Sequence, residues 1–281
     1  MNERGNEMEK RISWFKCIGA ILCTVLISTS SNLLSWLVPQ GGMTDTEYGF
    51  LTYLVLATFQ ASGLILLLCL FKRKDVLTDR PSGSFRKGVV LGAVLIVYAA
   101  YMLVSNLVSC IRSQGTHLMS PFFIAVYVAG IFLGAGIGEE FIFRGIFMNF
   151  IRSAAGNGTR KGLLIGMTVS SIFFGLVHLA NLQDNPDVAG TIGQVIYAVG
   201  IGFYLAAIYV RTKNIWFNVV LHFFVDIEAL FNTLFTGSEV SISEVIGGEP
   251  SQVIIRSILL GVVFWAMGLF MVRKSKMPEL A

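Results

Sequence analysis

The sequence predicts an all-α, polytopic membrane protein of about eight transmembrane helices, and three observations carry that expectation. Only 14% of the 281 residues are charged against 54% hydrophobic, whereas soluble chains carry about a quarter charged residues. The mean hydropathy is +0.72. Apolar residues gather in eight runs, near 14–38, 49–71, 88–111, 121–151, 162–181, 190–210, 215–236 and 251–272. Roughly 20 helical residues cross a bilayer core of about 30 Å, so runs of this length read as spans. Finally, Lys and Arg collect in every second connection, as cytoplasmic loops do. This composition excludes a disordered chain and argues against an ordinary soluble enzyme.

The first run follows Arg4, Lys10 and Arg11, which resemble the basic start of a signal peptide. Its apolar stretch is longer than such a peptide needs, has no small-residue cleavage site and is followed by further spans, so it reads as a membrane helix. With the N-terminus inside, the inner segments hold 17 of the 21 Lys and Arg residues. The outer loops near 39–48, 112–120, 182–189 and 237–250 contain only Arg112. Both termini are therefore expected in the cytoplasm. No repeat, low-complexity tract or long linker interrupts the chain, which reads as one integral membrane domain over 1–281. The fourth run is too long for one simple span. Gly130, Gly134, Gly136 and Gly138 allow close helix approach there and a break in the helix. Cys17, Cys23, Cys69 and Cys110 lie in apolar runs without CxxC spacing and read as small packing residues. A net charge of +4 without a dense basic patch gives no support to a nucleic-acid partner. Membrane lipid is the expected surrounding.

The informative residues are the ionisable ones inside the spans, because each is costly unless paired or facing water. They are Glu139, Glu140 and Arg144 in the fourth run, His178 in the fifth, His222, Asp226 and Glu228 in the seventh and Arg256 in the eighth. On an α-helix Glu140 and Arg144 are neighbours at i, i+4, in the favoured order for an ion pair. Glu139, turned by about 100° at 3.6 residues per turn, then has no partner in its own segment. A carboxylate so placed suits proton transfer. Phe174 sits one turn before His178 and can pack against its imidazole. His222 and Asp226 repeat the i, i+4 spacing, so Asp226 can accept from one ring nitrogen and fix the tautomer of the other. His117, in an outer loop, receives no role, and Glu228 and Arg256 are not assigned one.

EExxxR at 139–144, FxxxH at 174–178 and HxxxD at 222–226, in that order on three runs, resemble the CAAX prenyl protease and bacteriocin-processing (CPBP, abortive-infection) family of intramembrane proteases. The matching core is approximately 125–232, and the resemblance implies a CAAX-protease-like helical bundle. It further implies an endopeptidase acting on a membrane-associated or lipidated peptide or protein. Carried over by position, Glu139 with His178 would activate water, and His222 with the residue four further on would stabilise the oxyanion. Glu140, Arg144 and Phe174 would support the site. The sequence departs from the family pattern at Asp226, where asparagine is frequent. An ionised aspartate cannot donate to an oxyanion, so Asp226 is either protonated or orients His222.

These side chains need no cofactor: a glutamate and two histidines supply a base for water, donors for the oxyanion and an acid for the leaving amine. The same set, His178, His222 and Glu139, could instead hold zinc with an open water position. HExxH is absent, and the resemblance favours the metal-free route. Two other classes stay open at this level: a proton-coupled transporter using the buried acids and histidines, and a catalytically silent immunity or binding protein on the same fold.

Overall fold

A computed structural model describes residues 3–112, 118–183, 187–237, 243 and 248–279. Its regular elements are helical throughout, with no strand among the described residues. Helix α1 is Glu3–Asn32, continued by a 3-10 turn at Leu33–Leu37. It is followed by α2 (Asp45–Leu70), the short α3 (Lys74–Thr78) and α4 (Ser84–Arg112). The fourth run, Pro121–Gly156, is a single long span. It starts as α5 (Pro121–Ile131), winds through two π-helical stretches, Phe132–Glu139 and Phe141–Met148, and finishes as α6 (Asn149–Gly156). Helix α7 (Arg160–Leu176) passes into a 3-10 turn, Val177–Gln183. Helices α8 (Val188–Thr212), α9 (Ile215–Ala229), α10 (Phe231–Thr236) and α11 (Pro250–Met271) complete the chain.

Among the described residues, seven helices are long and apolar enough to cross a membrane. The seventh predicted run, 215–236, is not one helix: it divides at Leu230, whose φ of −96° and ψ of 13° close α9 after 15 residues. At 1.5 Å per residue α9 is about 22 Å long, short of a full bilayer core. The glycines of the fourth run do not break it either. There the helix widens from i→i+4 to i→i+5 bonding, a change that accommodates extra residues without ending the span.

Polar caps placed by the sequence set the helix starts. Thr44 and Glu47 form a reciprocal capping box at α2, Ser120 accepts from Phe123 N with Pro121 at the first position of α5, and Thr159 caps α7. Each satisfies an orphan N–H at a helix start. Asn214 caps α9 by accepting from Trp216 N and Phe217 N, and its side-chain amide donates to Ser84 Oγ at 3.0 Å. The tight connection before it turns at Lys213, in the left-handed conformation at φ 52°.

The chain divides into two compact units. One comprises residues 1–24, 142–213 and 241–281. In it α8 packs along α7 and α11, and the closest approach is between glycines: a Cβ on Gly200 would come within 2.5 Å of Gly261 Cα. The other comprises residues 25–141 and 214–240. In it α2 and α9 both pack against the first π stretch, and α4 lies along α9.

Candidate active site

The unit formed by residues 25–141 and 214–240 gathers four of the residues singled out from sequence. His222, on α9, is the hub. Its Nδ1 lies 2.9 Å from Glu140 Oε1, and its Nε2 lies 3.7 Å from Glu139 Oε2 and 3.6 Å from Asp226 Oδ2. Glu140 is fully buried, whereas the side chains of Glu139 and Asp226 keep 32% and 24% of their exposure. Two adjacent carboxylates thus sit in different surroundings: Glu140 is enclosed and hydrogen-bonded, and Glu139 is open to an incoming molecule.

The second ligand of Glu140 is a residue that the sequence reading did not single out. Asn218, completely buried, donates its Nδ2 to Glu140 Oε2 at 3.2 Å. One carboxylate oxygen therefore accepts from His222 and the other from Asn218, which meets the requirement that a buried charge be hydrogen-bonded. A signal for Asn218 was present. Asn218, His222 and Asp226 are spaced four apart on α9, which puts them on one helix face.

This arrangement decides what the imidazole can do. Glu140 can only accept when ionised, so Nδ1 carries a hydrogen and donates to it. Nε2 then points at two carboxylate oxygens, and a bond to either requires a proton on Nε2 or on the carboxylate. The ring is thus oriented by Glu140, and Asp226 meets the other nitrogen. The sequence reading gave Asp226 the part of accepting from one ring nitrogen; in the structure the acid nearest the ring is Glu140, at Nδ1, and Asp226 lies 3.6 Å from Nε2.

Glu139 and Glu140 owe their places to the winding. The 3.6-residue spacing behind the expected Glu140–Arg144 face is replaced here by π geometry, with Glu140 at the junction of the two π stretches. Side-chain donors support the carbonyls of the second stretch: Ser170 Oγ donates to Phe143 O at 2.5 Å, and Asn149 Nδ2 donates to Arg144 O and Gly145 O at 2.9 and 3.1 Å. π turns of this kind are frequent at functional sites.

The unit formed by residues 1–24, 142–213 and 241–281 holds the other three predicted residues as one local group. Arg144 is buried and donates to Gly202 O at 3.1 Å. Its guanidinium lies over the Phe174 ring, 4.5 Å from the centroid, a cation–π contact strengthened by desolvation. The Phe174 ring in turn meets His178 edge-on, with centroids 5.3 Å apart. The packing expected from FxxxH is therefore present. His178 is not on α7 itself but on the 3-10 turn that follows it, and its Nδ1 donates to Phe174 O at 2.9 Å. That bond leaves Nε2 as the basic nitrogen of the neutral ring.

Among the described residues no group of three or more His, Cys, Asp or Glu is arranged to hold a metal ion. The four cysteines are free thiols. Glu228 is buried on α9, and His117 lies outside the described residues. No curated protein matches the chain in sequence. Residues 120–227 match the family model described as type II CAAX prenyl endopeptidase Rce1-like, a stretch that includes both glutamates, His178, His222 and Asp226. In this core, set in an all-helical polytopic chain, the protein is similar to the CPBP family of CAAX-type intramembrane endopeptidases.

Proposed function

We propose that the protein is a glutamate-type intramembrane endopeptidase in which Glu139, assisted by His178, activates water, and His222 with Asp226 supports the oxyanion. The observation that carries this reading is the setting of His222. Its ring is held by the buried Glu140, and its Nε2 faces the more open Glu139 and Asp226. Glu139 takes a proton from water as the oxygen attacks the scissile carbonyl, forming a tetrahedral oxyanion. An N–H on His222 Nε2 donates to that oxyanion, the step in which preorganised donors count most. Collapse of the intermediate breaks the C–N bond, and the proton held by Glu139 passes to the leaving amine. Asp226, when ionised, accepts from His222 and keeps Nε2 protonated. Glu140, Asn218, Arg144 and Phe174 are supporting residues. The substrate is a membrane-associated or lipidated peptide or protein, and both termini face the cytoplasm of a bacterial cell.

The test is cleavage of a fluorescence-quenched peptide library by the purified protein in detergent, wild type against Glu139→Gln, each with and without a zinc chelator. Cleavage lost in Glu139→Gln and indifferent to chelator is expected. Chelator-sensitive cleavage would replace the metal-free route by a zinc-dependent one using His178, His222 and Glu139. Cleavage that survives Glu139→Gln would remove Glu139 from the chemistry.

A further inference from the structure

Between α2 and α4 the chain runs through a short basic connection, residues 72–87. It carries six Lys and Arg against two Asp, an excess equal to the +4 net charge of the whole chain. Arg73 and Asp75 neutralise each other in an ion pair at 2.8 Å. Lys72, Lys74, Arg80 and Arg86 are exposed, and none of these four forms an ion pair among the described residues.

The connection is an ordered part of the fold. Lys72, left-handed at φ 57°, turns the chain off the end of α2, and Val76 is buried. The indole of Trp216, on the first turn of α9, donates from Nε1 to Leu77 O at 2.9 Å. The Arg80 guanidinium lies over the same indole, 5.4 Å from the ring centroid, a cation–π contact. Asn214, the cap of α9, holds Ser84 at the far end of the connection. Four exposed cations are thus carried on a backbone whose place is fixed by the start of α9.

Their depth follows from the neighbouring spans. Leu66 and Leu70 near the end of α2, and Phe85, Val89 and Val90 at the start of α4, are exposed. Both helices are long and apolar enough to cross a membrane, so these outward side chains meet lipid tails. The cations begin just after Leu70, and Arg86 follows Phe85 directly, which sets the charges at the level of the headgroups. Clusters of four to eight basic residues at the end of a span attract anionic lipid. A soluble polyanion would use the charges alone, whereas a phospholipid uses the charges and the adjoining apolar side chains together.

We propose that residues 72–87 form a binding surface for anionic phospholipid, its phosphate taken by Lys72, Lys74, Arg80 and Arg86 and its acyl chains lying against Leu70 and Phe85. The inference goes beyond the endopeptidase reading and does not depend on it.

The experiment places the full chain in phosphatidylcholine nanodiscs with a trace of spin-labelled phosphatidylglycerol or phosphatidylcholine, and reads the motionally restricted fraction of each. Phosphatidylglycerol should be preferred about fivefold, the worth of one basic residue near an anionic surface, and salt should weaken the preference. The triple variant Lys72→Gln, Lys74→Gln, Arg86→Gln should abolish it with the unfolding midpoint near that of the wild type, since all three side chains are exposed. Removing the same charge beyond α11, by Arg273→Gln, Lys274→Gln and Lys276→Gln, should leave the preference in place. A second reading comes from a chain in which Trp14, Trp36 and Trp265 are replaced by Phe. The emission of Trp216 should change when phosphatidylglycerol replaces phosphatidylcholine, because the phosphate meets Arg80 above the ring, and glycerol phosphate in solution should not reproduce the change. Equal loss in the two triple variants would make the preference a matter of net charge and overturn the inference. No preference in the wild type, or a Trp216 emission unmoved by phosphatidylglycerol, would overturn it as well. A Trp216 response to glycerol phosphate would replace the lipid surface by a site for a free anion.

Discussion

In the unit built around α8, the buried guanidinium of Arg144 is met by a carbonyl and an aromatic face, and the helices close on one another through glycines. In the unit built around α2 and α9, buried Glu140 is met by two side-chain donors, and more exposed acids gather around the same histidine. The first unit depends on shape: its interior is close-packed, and an added methyl has nowhere to go. The second depends on pairing: its polar groups are tolerable only while each keeps its partner. Substitutions should therefore fail differently in the two. In the second unit activity and stability should separate, and in the first they should fall together.

The largest effect should come from Glu139→Gln, which lowers kcat by about 10²–10⁴, the usual worth of a general base, with little change in thermal unfolding, because Glu139 is a third exposed. A large fall in the unfolding midpoint would show Glu139 to be structural and erase the distinction from Glu140. Glu140→Ala should do the reverse. It strands His222 Nδ1 and Asn218 Nδ2 in a buried site, at about 3 kcal/mol, read by unfolding in detergent. Glu140→Gln, which retains one acceptor, should cost less. In the other unit, Gly200→Val drives a branched side chain into the Gly261 backbone. Overpacking of this kind costs about 1–3 kcal/mol, and whatever activity remains should keep the wild-type pH profile.

The smallest effect lies outside the membrane spans, at Asp187. It caps α8 by accepting from Gly190 N at 2.8 Å, and it accepts from Ser243 N and Oγ at 2.7 Å each. Burial alone would raise its pKa, but the bonds from Ser243 and Gly190 prevail and hold it below the ordinary carboxylate value. A lowered folded pKa means that the stabilisation is complete above the ordinary carboxylate range. It is lost as pH falls through that range to the depressed value. Asp187→Ala should cost about 1 kcal/mol at neutral pH, as loss of a helix cap does, and the penalty should vanish in acid. A pH-independent penalty would mean that the cap acts by packing rather than charge.

Much of the fold was legible because length and hydropathy alone specify spans. What escaped was decided by contacts distant in sequence. Nothing at Leu230, an apolar residue without a neighbouring glycine or proline, signals the division of the seventh run. A carbonyl of the second π stretch is met by Ser170, 27 residues away, and the four glycines in and before the first stretch suggested a break where the helix merely widens. Within the site, FxxxH and HxxxD are local spacings, and the Phe174–His178 contact could be foreseen. The partner of Glu140 could not, since Asn218 is 78 residues away and resembles any buried amide until its spacing with His222 and Asp226 is noticed.

The widened stretch also bears on how this span tolerates changes in length. A π turn holds a surplus residue relative to α winding, so the segment from Phe132 to Gly138 can shed one without unravelling. Deleting Ile137 would let the backbone tighten to i→i+4 and keep the span intact. The turn gives up only the residue it had absorbed, so side chains well beyond it would keep their facing, and those within the segment, with Glu139 at its end, would be re-aimed. Glu139 would leave His222, with the helix as continuous as before. A single codon is thus enough to silence the chemistry while sparing the scaffold, a route by which a protease of this architecture could become a binding protein.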